Sequence, residues 1–91
     1  MTVDELRQQI DAIDDQLVGL LNQRAECALA IGRIKRVHGL PMYQPEREKE
    51  VLRRVSAASA ARGGPLGADA IKRLFERIID EARSLELKAV R

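Results

Sequence analysis

VDELRQQIDAIDDQLVGLLNQRAECALAIGRIKRV, residues 3–37, decides the fold. Val3, Leu6, Ile10, Ile13, Leu17, Leu20, Arg24, Cys27, Ile31 and Ile34 follow one another in alternating steps of three and four residues. That spacing makes a coiled-coil-like seam along one helix. Thr2 is a good N-cap, with Asp4 and Glu5 placed in the first turn, where the helix dipole favours negative charge. No breaker follows until Gly39, and Gly19 and Gly32 are the interior weak points.

At 1.5 Å per residue this helix is about 52 Å long, whereas a compact chain of this length has a radius of gyration near ~12 Å. The helix must overhang its own domain. Its apolar stripe then needs a cover, and the expected cover is the same helix from a second copy around a two-fold axis.

Working outward, His38–Gln44 carries the first turn signals, and Pro45 suits the first position of a second helix, with Glu46 and Glu48 in its first turn. That helix is expected from about Pro45 to Ala61. Arg62-Gly63-Gly64-Pro65 combines a C-cap with a breaker. A third helix, from about Ala68, then carries Ile71, Leu74, Phe75, Ile78, Ile79, Ala82 and Leu85 on one stripe. The sequence has no strand pattern, repeat or linker. The expected fold is all-α, one domain over residues 1–91: a long N-terminal helix, a loop and two shorter helices, intertwined as a homodimeric bundle.

Composition removes several function classes. The 91 residues are 45% hydrophobic and 33% charged, which suits a helical globular domain rather than a disordered one. Aromatic residues make up 2%, Tyr43 and Phe75, so base-stacking platforms have nothing to be built from. Sixteen Lys and Arg against fourteen Asp and Glu leave a net charge of +2, too small for a general polyanion binder. Cys27 and His38 are the single cysteine and histidine, which leaves no internal disulfide and no Cys/His metal cluster. The acidic N-terminus does not read as a signal peptide, and no apolar run approaches membrane-spanning length, so the expected location is the cytoplasm.

What chemistry remains is cationic. Arg24 occupies a seam step that apolar residues otherwise hold, and a guanidinium placed there needs an anion. Lys35, eleven residues on, lies within about 20° of the same face and about 16 Å along the axis, so two long cationic side chains could close on one small dianion. Arg7 lies seventeen residues before Arg24, about 25 Å away, and could join them only from an antiparallel partner helix.

Plain alternatives stand beside each of these. Arg24 could snorkel or pair with a carboxylate on a neighbouring helix, and Arg7 and Lys35 could be solvated flank residues. Arg47 and Glu48 open the second helix, where they could meet a ligand or form ordinary first-turn ion pairs. Glu86 stands at the edge of the third helix's apolar stripe, as a salt-bridge partner or a proton donor. No nucleophile–base, P-loop, dinucleotide or zinc spacing occurs, so no cofactor and no metal are expected.

LRQQIDAIDDQLVGLLNQRAECALAIGRIK, then YQPEREKEVL, then IKRLFERIIDEARSLE occur in an order and spacing that resemble the all-α, AroQ-type chorismate mutases over essentially the whole chain. The resemblance implies the Claisen rearrangement of chorismate to prephenate, a unimolecular step of the shikimate pathway to phenylalanine and tyrosine. It implies that Arg24 and Lys35 of one subunit, with Arg7 of the other, bind the carboxylates and the enol-ether side of the substrate. Arg47 and Glu48 would line the pocket, with Glu48 accepting the ring hydroxyl. Glu86 stands where many relatives place a Gln that donates to the ether oxygen, and would have to be protonated to do so.

The chain departs from the family pattern at Gln44, where some relatives carry an Asp near the hydroxyl, and at Ala82, where some carry a Ser touching a carboxylate. Those two contacts stay open, or pass to the backbone. The rival readings are an isochorismate-pyruvate lyase of salicylate biosynthesis on the same fold, and a non-catalytic coiled-coil dimerisation module. A helical nucleic-acid binder is disfavoured by the lack of a basic stripe. No dehydratase, dehydrogenase or aldolase segment lies within these residues, so any coupling to another aromatic-pathway enzyme is expected to be non-covalent docking.

Overall fold

The computed structural model describes residues 1–89. It consists of three helices: α1 over Val3–His38, α2 over Pro45–Arg62 and α3 over Ala68–Ala89. The ends follow the capping chemistry. The Thr2 hydroxyl accepts the Glu5 amide at 3.1 Å, closing the start of α1. Gly39 closes the other end in the left-handed conformation, φ 66°, which a residue without Cβ adopts at no steric cost. Pro45 begins α2, and Gly63, also at positive φ, donates its amide to the Ser59 carbonyl at 3.0 Å to end it. Both α1 and α2 run one residue past the expected limits, an ordinary amount of end fraying.

α3 packs against both α1 and α2, whereas α1 and α2 do not pack against each other. Of the expected α3 stripe, Ile71, Phe75, Ile78, Ile79 and Ala82 are half-buried in this position. Leu74 and Leu85, at one edge of the stripe, remain exposed because neither neighbouring helix reaches that side. Among the described residues the buried apolar ones are Val51 and Val55 on α2, at 4% and 8% exposure. Two valines are a small core for a 10.2 kDa chain, whose net stability is normally a narrow margin over conformational entropy.

The overhang is as long as the spacing predicts. The molecule measures 54 × 25 × 15 Å, with a radius of gyration of 16.2 Å against about 12 Å for a compact chain. Every apolar seam residue from Val3 to Leu20 is at least 45% exposed in the single chain, and Ile31 and Ile34 are exposed as well. Among the described residues no helix is long and apolar enough to cross a membrane.

Candidate functional site

A cavity of about 530 Å³ opens where the second half of α1, the start of α2 and the second half of α3 converge. That volume suits a small organic ligand. Seven of the eight residues singled out from the sequence line it. Arg24 and Lys35 come from α1, Gln44, Arg47 and Glu48 from the start of α2, and Ala82 and Glu86 from α3. Arg7 does not. It lies near the free end of α1, its side chain 74% exposed, with Asp4 4.0 Å away.

Each side chain is held by a local cause. Arg24 is half-buried and forms no ion pair among the described residues, so the neighbouring carboxylate offered as its plain alternative is not there. Lys35 donates from Nζ to the Met42 carbonyl at 3.3 Å, which ties the last turn of α1 to the loop before α2. The ammonium keeps two further donors. Arg47 takes the first-turn option, bonding Glu50 at 2.6 Å. Its guanidinium is therefore engaged along α2.

Glu86 reaches the cavity because of a glycine. A Cβ built on Gly32 would stand 3.6 Å from the Glu86 Cγ and 3.8 Å from its Cδ, so the carboxyl stem rests on the bare backbone of α1. Gly32, an interior weakness of the helix by propensity, is the buried point of contact with α3. No cation lies within ion-pair distance of Glu86 among the described residues, which removes the salt-bridge alternative there.

Two cations that sequence reasoning missed also line the cavity, Arg54 on α2 and Arg83 on α3. Arg83 donates through Nη2 to Glu48 Oε1 at 2.5 Å and through Nη1 to Asp80 Oδ1 at 3.2 Å. Its Cζ stands 5.6 Å from the centre of the Tyr43 ring, within reach of a cation–π contact. The bond to Glu48 raises the Arg83 pKa above its ordinary value, against a smaller opposing effect of desolvation. Helical spacing could have placed Arg83 one turn before Glu86, on the same side of α3, but nothing local marks it as paired to a residue thirty-five positions earlier.

Five cations (Arg24, Lys35, Arg47, Arg54, Arg83) and two carboxylates (Glu48, Glu86) therefore share one cavity. Its excess of three positive charges is larger than the +2 of the entire chain, so the remainder of the surface is slightly acidic. Such a site suits a small dianion bearing a hydroxyl or ether, with forked donors for carboxylates and an acceptor for a hydroxyl.

The family model for chorismate mutase type II matches residues 6–87. The chain belongs to that family. Among its relatives is the bifunctional chorismate mutase/prephenate dehydratase of Aquifex aeolicus, 39% identical over 92% of this chain and 24% of that protein. The chain thus spans about a quarter of the length of the bifunctional relatives it matches. Among solved structures, the chorismate mutase of Thermus thermophilus (form II) superposes with a TM-score of 0.86 at 32% identity, covering 92% of each chain. The Helicobacter pylori chorismate mutase in complex with prephenate gives 0.84 at 32% identity, over 97% of this chain and 92% of that one. This chain is therefore an all-helical chorismate mutase domain, as the three sequence stretches imply.

Proposed function

We propose that this chain, acting as one domain over residues 1–91, converts chorismate to prephenate in aromatic amino-acid biosynthesis. The supporting observation is the cavity itself: a member of this family gathers five cations and two carboxylates around about 530 Å³, and a dicarboxylate substrate answers that charge. A dimerisation module would have no use for such a concentration.

In the reaction the ether C–O bond breaks as a C–C bond forms within one molecule, so the protein supplies geometry and charge. Arg24 grips a carboxylate and helps hold the enolpyruvyl arm over the ring, which converts a floppy substrate into a reactive conformer. Glu48 accepts the ring hydroxyl, and Arg47 approaches from the same turn. Lys35 and Glu86 face the ether oxygen, where negative charge builds in the transition state. Gln44 and Ala82 border the substrate through their backbones. No cofactor or metal enters this scheme.

The site is completed by a second copy. The single chain exposes 7309 Å², against about 5300 Å² expected for a compact monomer of its mass. The excess of about 2000 Å² lies in the range that obligate homodimer contacts bury. An antiparallel partner α1 covers the seam and brings its Arg7 to this cavity. The chain works in the cytoplasm, where its lone Cys27 stays reduced.

Incubating the protein with chorismate, and with isochorismate as control, decides the activity. Prephenate from chorismate is the expected product. Pyruvate release from isochorismate at a comparable rate would favour the lyase, and no consumption of either would end the proposal. A pH series tests Glu86. A carboxyl donates only while it holds its proton, so a donor role makes activity fall as pH rises. Glu86→Gln, whose amide donates at every pH, is expected to flatten that fall, and superimposable profiles would remove the donor role.

A further inference from the structure

Among the described residues, Arg83 to Glu48 is the ion pair that joins two different helices; every other pair lies within one turn of its own helix. Arg83 takes hold of three elements at once: Asp80 on its own helix, Glu48 at the start of α2, and Tyr43 in the preceding loop. The Arg83 and Glu48 side chains are 40% and 27% exposed, and the Arg83 Nε is buried with no partner. A guanidinium committed on both prongs, with its third nitrogen shut away from solvent, is fixed in place rather than offered to a ligand.

The geometry points to Arg83 as a positioning residue, which holds Glu48 so that one carboxylate oxygen is occupied and the other is left to accept the substrate's ring hydroxyl. This rests on the chorismate reading above. An unheld glutamate in the first turn of a helix has several rotamers, and ordering it during binding would cost affinity and alignment. The fork removes that cost in advance. The Tyr43 ring beneath the guanidinium ties the loop to the same anchor, and Lys35 holds that loop from the other side through the Met42 carbonyl. The cavity rim is thereby pinned to α1 and α3.

A double-mutant cycle with Arg83→Met and Glu48→Ala tests this, read on kcat/KM for chorismate and on the calorimetric affinity for prephenate, which needs no turnover. With Glu48 present, Arg83→Met is expected to lower kcat/KM about ten- to a hundredfold and to weaken prephenate binding about tenfold. In the Glu48→Ala background the same substitution is expected to cost less than about threefold on either measure, because the group it acts through is gone. Equal losses in both backgrounds would mean that Arg83 touches substrate directly or merely supports the fold, and would overturn the positioning role while leaving the mutase reading intact. A wild-type protein that leaves chorismate unchanged would bring down both. Should Arg83→Met fail to fold by circular dichroism, Arg83→Lys, which keeps the stem and the charge but loses the two-pronged grip, goes through the same cycle with the same expectation.

Discussion

Arg24→Ala is expected to lower kcat/KM for chorismate by about a thousandfold or more, with helicity and hydrodynamic size unchanged. Arg24 is the seam residue that is not apolar, it is half-buried on the cavity wall, and no carboxylate among the described residues neutralises it. A cation left unpaired in that position is most economically explained by an anion that arrives with the ligand. Losing one preorganised charged donor typically costs about a hundred- to a thousandfold in rate, and a guanidinium fork that also orients the substrate arm stands at the upper end. Alanine at a seam step, if anything, suits a helix interior. Steady-state kinetics beside circular dichroism and size-exclusion chromatography read the two effects separately. A variant that turns over at near the wild-type rate would show that the substrate lies elsewhere.

Arg7→Ala is expected to be as damaging as Arg24→Ala when each is assayed alone, yet a refolded equimolar mixture of the two is expected to recover about a quarter of wild-type activity. The reason is symmetry. In the proposed two-fold dimer each cavity would take Arg24 from one chain and Arg7 from the other, so a mixed dimer would have one cavity with both arginines and one with neither. Random pairing makes about half the dimers mixed, and half of their cavities are whole. In the single chain Arg7 sits about 25 Å along α1 from Arg24, out on the exposed overhang, so no bending of its side chain could substitute for the exchange. A mixture as inactive as its parts would show that Arg7 is not shared.

The helix boundaries were legible because their causes are local. Thr2 caps within three residues, Gly39 and Gly63 end helices by their own backbone freedom, and Pro45 starts one by its fixed φ. The seam of α1 was legible for the same reason: a period of three and four is read along one helix without knowing what it meets. The cations Arg24 and Lys35 could be placed on one face by that arithmetic, and Glu86 at the edge of another. Their alternatives could not be separated, because a salt bridge to a distant helix and an open cavity wall have the same local signature.

By itself, then, the sequence determined three helices, an overlong first helix with an apolar stripe, and a handful of cations at defined positions on it. Only the tertiary structure decided that α3, and not α2, packs on the second half of α1, and with it that Glu86 lies on the bare backbone of Gly32. It alone decided that Arg83 crosses to Glu48 and that Arg54 joins the same cavity. Capping and periodicity arise from hydrogen bonds and rotamers within about four residues of each position, so they are written where they act. Which faces of two helices meet depends on many weak contacts between residues dozens of positions apart, each too small to read singly, and the charge of the cavity follows from that sum.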